Sequence, residues 1–296
     1  PSSPNRALYE PPAGDQRLVK GPAFGATKKL LPKIGDWPTF RGDNSRSGFT
    51  GTDVDSPANA RWETTLGGRL SSVAVANGLV YVAQIDTHTV HALQEQSGKP
   101  VWSFTAGGRV DSPPTIFNGQ AIFGSADGWV YCLDAAGGKL AWRRRAAPSD
   151  RRIVAYGQLE SPWPVVGGVL AMNGMAFFDV GRHASADGGL TVQAVDPITG
   201  ELAWSVQPAG FPGVPDILTG DGKQIQMASW QFDAETGKNS SSSSTLLRGG
   251  RLGLLNDAWY QRPIAIRKGL QGWTSSDRPN GQILSITPTA TFGYTS

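Results

Sequence analysis

The sequence is short of most things that would announce a chemistry. Cysteine occurs once, at Cys132. An intrachain disulfide, a cysteine zinc site and a haem-attachment motif are therefore excluded within these residues, and Cys132 reads as a small buried residue of a strand. Histidine occurs only at His88, His91 and His183. On one strand His88 and His91 would point to opposite faces, which argues against a shared metal. Charged residues are 17% of the chain and the net charge is +3. The runs Arg143-Arg144-Arg145 and Arg151-Arg152, with the smaller Lys28-Lys29, lack the broad stripe and interleaved aromatics of a nucleic-acid surface. No nucleic-acid partner is expected. Apolar runs are as short as Leu79-Val80-Tyr81-Val82-Ala83, far below the ~20 residues of a membrane-spanning helix, so a soluble chain is expected. No phosphate loop and no Gly-x-Ser-x-Gly elbow is found. The sequence opens at Pro1 without a signal peptide, and missing polypeptide upstream is the expectation.

What is abundant is turn-forming and aromatic: 38 Gly, 21 Pro and 10 Trp in 296 residues. Many short strands in one large β domain follow from that composition. The text repeats. Trp62, Trp102 and Trp142 stand 40 residues apart, and Leu66-Gly67-Gly68-Arg69 recurs as Ala106-Gly107-Gly108-Arg109. Asn77-Gly78, Asn118-Gly119 and Asn173-Gly174 recur before apolar runs. Each unit ends alike. Ala194, Asp196, Thr199, Gly200 and Trp204 set the pattern A-x-D-x-x-T-G-x-x-x-W; Asp134, Gly138 and Trp142 keep part of it, as do Ala92, Gly98 and Trp102. A further copy, Asp233 to Gly237, lacks the Trp and runs into serines 240–244.

The pattern is a turn with a clasp. The Asp accepts bonds from nearby backbone N–H groups, the Gly takes a positive φ, and a small residue leaves room for an indole to lie against the next unit. Four strands are read in the first full unit, at 70–76, 79–84, 89–94 and 99–104, with Asn77-Gly78 and Asp127-Gly128 as hairpin turns. Four short antiparallel strands per ~40 residues is β-propeller geometry. A β-sandwich would not repeat its sequence at that period.

These motif copies resemble the tryptophan-docking motif of pyrroloquinoline-quinone (PQQ) type propellers, a family that includes quinoprotein alcohol dehydrogenases and BamB-type lipoproteins. The segment Asp36-Trp37-Pro38-Thr39-Phe40-Arg41-Gly42-Asp43 is similar to the start of many such repeat domains in exported bacterial proteins. The resemblance implies an all-β propeller of seven or eight blades when complete, of which four or five lie in this chain. Residues 1–35 read as a linker or an arm wrapped on a neighbour. Residues 36–204 are clear repeats and 205–296 degenerate blades of one domain, part of a longer protein.

Activity is less legible, because fold does not imply function. The enzymatic members hold PQQ and Ca²⁺ on the axis, commonly beside a vicinal cysteine pair, which one cysteine cannot make. No calcium-ligand or catalytic-Asp motif transfers to this sequence, so no cofactor and no catalytic or metal residue is expected. The function expected is a non-catalytic scaffold of an exported, periplasmic protein, with a protein, glycan or small molecule as partner, or other domains of the same chain. The alternative is a PQQ- and Ca²⁺-dependent oxidoreductase, or another carbohydrate-active enzyme, completed by absent blades. The candidate partner site is the third unit, where two insertions depart from the repeat. Arg151, Arg152, Tyr156, Gln158, Glu160 and Trp163 lie in one, and His183 in the other. Tyr156 and Trp163 can equally be read as packing a longer connection over the blade.

Overall fold

Asn-Gly pairs set the register of the sheets. Asn77-Gly78, Asn118-Gly119 and Asn173-Gly174 have φ values of 56° and 84°, 50° and 80°, and 52° and 75°. Two consecutive positive φ values make a two-residue turn whose twist matches the strands it joins. A fourth such pair needs no Asn: Tyr156-Gly157 adopts 53° and 74°. Asp127-Gly128 is different from expectation. Only Gly128 has positive φ, and Asp127 is buried, its carboxylate accepting the Trp129 N–H at 3.0 Å.

The structure, a computed structural model, describes residues 17–53, 59–208, 215, 217–227 and 230–241, together with the backbone of two short strands at 284–286 and 291–293. Its elements begin with β1 (Leu18–Lys20) and a sheet of β2 (Leu70–Ala76), β3 (Leu79–Gln84), β4 (Thr89–Gln94) and β5 (Pro100–Thr105). A second sheet follows from β6 (Thr115–Phe117), β7 (Gln120–Gly124), β8 (Trp129–Asp134) and β9 (Leu140–Arg145). A hairpin, β10 (Ile153–Ala155) and β11 (Gln158–Glu160), precedes β12 (Leu170–Met172), β13 (Met175–Val180), β14 (Thr191–Val195) and β15 (Leu202–Val206). A fourth sheet is β16 (Thr219–Gly220), β17 (Gln224–Met227), β18 (Trp230–Asp233) and β19 (Asn239–Ser241); β20 (Leu284–Ile286) pairs with β21 (Thr291–Gly293).

Every four-stranded sheet is an antiparallel meander in chain order. We call them blades I to IV. The first strands lie side by side, β2 by β6, β6 by β12 and β12 by β16, so the sheets radiate from a common centre as in a propeller. Three apolar clusters fill the spaces between successive blades: Tyr81 and Val90 with Phe123 and Leu133, Ile122 and Trp142 with Phe178 and Val195, and Phe177 and Val192 with Ile225 and Phe232. Alternation does this, since neighbouring residues of a strand face opposite blades.

The indoles bind forward. Trp62, Trp102, Trp142 and Trp204 donate Nε1–H to the carbonyls of Glu95, Ala135, Pro197 and Ala234 at 2.7, 2.9, 2.8 and 3.2 Å. Each accepting carbonyl lies in the last turn of the following blade. There a Cβ added to Gly98, Gly138, Gly200 or Gly237 would stand 2.3–2.7 Å from the indole ring. Ala92 and Ala194 face Trp102 and Trp204 across the strand pair, and Cys132 faces Trp142. Asp196 Oδ1 accepts the Ile198 and Thr199 N–H groups at 2.7 and 2.9 Å, and Asp134 Oδ2 the Gly137 N–H at 2.7 Å. The turn is thereby shaped as a seat for the ring.

Two segments outside the repeats have definite places. Leu18–Lys20 is no free linker: β1 adds a fifth strand to blade II, paired antiparallel with β9. Residues 37–46 cross the inner strands of all four blades. Trp37 exchanges backbone bonds with Val75 at 2.7 and 2.8 Å, the Pro38 carbonyl accepts Ile116 N–H at 2.7 Å, and the Asn44 carbonyl accepts Gly220 N–H at 2.9 Å. Arg46 is 1% exposed. It donates to the Val169 and Leu218 carbonyls at 3.1 and 3.2 Å and to Thr39 Oγ1 at 2.5 Å. A guanidinium so enclosed is satisfied by carbonyl dipoles in place of a carboxylate, and burial lowers its pKa to about 10. Blade IV is a regular four-stranded sheet, although its copy of the motif has no Trp. Asn256, Asp257, Ala258, Trp259, Tyr260 and Trp273, in the stretch read from sequence as degenerate blades, lie outside the described residues.

Candidate functional site

The insertion between β9 and β12 carries the β10–β11 hairpin from blade III back across blade II to blade I. Its far end is tied at Gln158, whose Oε1 is 2.9 Å from His88 Nε2 and whose Nε2 donates to the Asp86 carbonyl at 3.3 Å. Its near end is tied at Glu160, which is fully buried. Burying one carboxylate alone would cost several kcal/mol. Here Arg109 Nη1 lies 3.5 Å from one oxygen and Arg182 Nη2 bonds the other. Arg182 also donates to the Ser161 carbonyl at 3.2 Å, and Arg109 Nε lies 2.8 Å from Asp111.

The result is an alternating chain, Asp111–Arg109–Glu160–Arg182, with no net charge. Burial pushes the Asp111 carboxyl up to about 6, and Arg109 opposes that rise. Tyr156 roofs the chain at the hairpin turn, with the Arg109 and Arg182 guanidinium carbons 4.7 and 6.0 Å from its ring centre. Below, Tyr131 Oη donates to Asp127 at 2.5 Å and accepts the Gly107 N–H at 3.1 Å. Burial raises the Asp127 pKa, and the Tyr131 hydrogen bond acts against it.

A second group lies beside the first. Trp163 Nε1 donates to the Asp187 carbonyl at 2.6 Å, the Asp187 carboxylate pairs with Arg151, and the Arg151 guanidinium carbon sits 5.3 Å from the Trp163 ring centre. His183 accepts the Ser185 N–H at 3.0 Å within its own loop, and Arg152 Nη2 lies 3.4 Å from Asp150. The seven residues named from sequence therefore do not form one site. Tyr156, Gln158 and Glu160 converge with Arg109, Asp111, Arg182 and His88, whereas Arg151 and Trp163 join Asp187.

Sequence reasoning missed the arginines. Arg109 was visible only as the last residue of a repeated Gly-Gly-Arg, whose first copy puts Arg69 on Asp86 at 2.7 Å. Strand alternation does not set the directions of His88 and His91. His88 sits at φ 60° before β4 begins, and His91 Nε2 meets Gln84 Oε1 at 3.2 Å.

What faces outward is apolar. Val154 and Leu159 are cross-strand partners, 79% and 60% exposed, and Tyr156 is 48% exposed. Cross-strand partners share one face of a hairpin. The hairpin thus presents an exposed apolar pair for contact. Among the described residues, this cluster does not fit a calcium-bound quinone. Glu160 and Asp111 are each held by guanidinium groups, and among the described residues no three His, Cys, Asp or Glu side chains converge. Arg46 bonds the Val169 and Leu218 carbonyls, just before the inner strands β12 and β16.

The family model described as "Outer membrane protein assembly factor BamB" matches residues 52–206 and 126–290. The outer membrane protein assembly factor BamB of Burkholderia pseudomallei is 30% identical over 219 residues, covering 72% of this chain and 45% of that protein. The 1-butanol dehydrogenase (cytochrome c) of Thauera butanivorans is 26% identical over 200 residues, covering 61% of this chain and 27% of the relative. This chain thus spans less than half the length of these relatives. Among solved structures, the quinohemoprotein alcohol dehydrogenase of Comamonas testosteroni matches with TM-score 0.53 at 19% identity, over 69% of this chain and 40% of that one. That likeness is one of fold.

Proposed function

The chain belongs to the BamB-type family of PQQ-repeat β-propellers, and on that premise we propose that it acts as a non-catalytic scaffold whose protein partner docks on the β10–β11 hairpin. The observation that carries the reading is an exposed apolar pair on a hairpin held at both ends. Glu160 and Gln158 fix both ends of the hairpin, while Val154 and Leu159 face solvent. Exposed apolar side chains on a preorganised element lose little entropy on binding and gain about 25 cal/mol for each Å² they bury. Tyr156 and the arginines beneath it add the residue types that dominate protein interfaces. A glycan or small molecule would need convergent polar groups in a concavity, and here the polar groups are spent on one another.

An extracytoplasmic location is part of this reading, and the similarity to a relative named as an assembly factor of the outer membrane supports it. Fractionation of the native host with the full-length protein tests that placement. The docking surface is tested by affinity capture of the full-length protein from its native envelope. Val154→Asp with Leu159→Asp should lower saturable binding at least about tenfold, the effect of some 1.4 kcal/mol, with the thermal midpoint unchanged. Undiminished binding would remove the hairpin as the docking site.

The second reading, a quinone-dependent oxidoreductase, draws on the dehydrogenases among the relatives. Its test is dye reduction by the full-length protein with alcohols or sugars after loading with PQQ and Ca²⁺. Turnover would overturn the scaffold.

A further inference from the structure

One turn of this protein stands clear of the fold. Between β1 and Trp37 the chain reads Lys28-Lys29-Leu30-Leu31-Pro32-Lys33-Ile34-Gly35-Asp36. Both ends of this segment are held. The Lys28 carbonyl lies so close over the β6–β7 turn that a Cβ on Gly119 would stand 2.0 Å from it. At the other end Asp36 Oδ1 accepts the Asn77 N–H of the β2–β3 turn at 3.3 Å. Between these anchors Asp36 N–H donates to the Lys33 carbonyl at 3.1 Å, and Asp36 Oδ2 accepts the Lys33 N–H at 2.7 Å. The turn so closed has Ile34 and Gly35 at its centre, with Gly35 at a φ of 90° that suits glycine.

Its side chains are of two kinds. Ile34 is 104% exposed and Leu31 71%. Lys28, Lys29 and Lys33 stand exposed around them and form no ion pair among the described residues. The one carboxylate of the segment, Asp36, accepts two backbone N–H groups. The tip also has few backbone donors left to solvate. Pro32 has none, and those of Lys33 and Asp36 are bonded within the turn.

We propose that this turn seats the protein on an anionic lipid bilayer, with Leu31 and Ile34 in the interfacial layer and the three lysines at the headgroups. Three observations favour a bilayer over a protein. Ile34 projects fully from its turn, and a fluid layer receives a projecting side chain without a matching seat. Lysines around an apolar tip complement negative headgroups over hydrocarbon, and their stems can lie along the apolar side chains. Backbone donors already bonded lower the cost of leaving water.

The contact also sets an orientation. The segment is anchored on turns that join first strands to second strands. The β10–β11 hairpin is tied to the loops that join second strands to third, Gln158 at Asp86 and His88, and the Ser161 N–H at the Ala126 carbonyl at 2.8 Å. These are opposite ends of β3 and β7, a span of ~20 Å. A bilayer at one end leaves the hairpin facing away, and the contact does not rest on what the hairpin binds.

Vesicle sedimentation of the full-length protein, prepared without lipid modification, tests the assignment. Binding to vesicles of phosphatidylglycerol with phosphatidylcholine should exceed binding to pure phosphatidylcholine at least about tenfold, as three lysines near a negative surface imply. Lys28→Gln with Lys29→Gln should reduce that preference. Leu31→Asp with Ile34→Asp should lower binding at least about tenfold, the loss of two inserted apolar side chains, with the thermal midpoint unchanged. Ile34→Cys can be labelled selectively because Cys132 is buried. An environment-sensitive dye there should shift to the blue on anionic vesicles, and the same dye at Tyr156→Cys should not. Equal binding to both vesicle types, binding that survives Leu31→Asp with Ile34→Asp, or a dye at position 34 that stays in water would each overturn the proposal. A soluble envelope protein that binds the parent and not that double variant, without vesicle binding, would overturn it as well.

Discussion

Replacing Trp142 by Ala tests whether the forward-reaching indoles bind the blades together. Trp142 is fully buried, its Nε1 is 2.8 Å from the Pro197 carbonyl, and its ring seats against Gly200 with Leu18 of β1 beside it. Truncating a buried Trp to Ala costs roughly 3–5 kcal/mol, part transfer energy and part cavity. The orphaned Pro197 carbonyl is included in that figure, since losing one partner of a buried hydrogen bond costs about 1–3 kcal/mol. Against a typical domain stability of about 5–15 kcal/mol, the loss should lower the urea midpoint strongly. Trp142→Phe separates the contributions by keeping most of the ring and losing the N–H bond, and should recover more than half of the loss. Trp62→Ala, at a half-exposed indole, should cost clearly less. The assay is equilibrium urea unfolding followed by far-UV circular dichroism, which does not depend on the removed fluorophore. A Trp142→Ala variant within about 1 kcal/mol of the parent, a surface-like effect, would refute the clasp as the bond between blades II and III.

Glu160→Ala leaves Arg109 and Arg182 facing each other without the carboxylate between them, and should cost about 3–5 kcal/mol in urea unfolding, as loss of one partner of a buried ion network does. It should also free the hairpin, read as faster proteolysis within 153–160; an intact hairpin in that variant would show that Gln158 alone holds it. Asp111 makes stability depend on pH in an unusual direction. Its carboxyl is raised from 3.8 to about 6 in the fold. Between those values the folded state therefore holds more protons than the unfolded chain, and stability falls as pH rises through that window and is level above it. At 1.36 kcal/mol per unit the difference is about 3 kcal/mol. Unfolding free energy measured from pH 4 to pH 7 should show this fall in the parent and not in Asp111→Asn, and parallel curves would remove Asp111 from the account.

The strands of blade I were legible almost to the residue, because a two-residue Asn-Gly turn leaves little freedom of register and period-two alternation does the rest. The turn function of Asp134, Asp196, Gly138 and Gly200 was legible for the same reason: those bonds span two or three residues. Asp127 was misread as a φ > 0 turn residue. Its side chain had a buried tyrosine available four residues on, and tertiary burial chose that bond. An arm was one of two readings of residues 1–35, but its seat was not legible, since a single added strand of three residues has no periodicity and its partner β9 lies more than a hundred residues away. The candidate site divides along the same line. Insertion lengths marked where a departure from the repeat occurs, but Arg109 and Glu160 meet only because two blades converge at one end.

What this sequence determined by itself is everything that repeats: the blade, its turns, the spacing of its indoles and thereby the propeller. Local hydrogen bonds and side-chain alternation are short-range and are written in the order of residues. Only the tertiary structure decided which charges are buried together and where Arg46 and the arm are seated. Those outcomes depend on distances between segments far apart in the chain, which radial packing sets and no local pattern encodes.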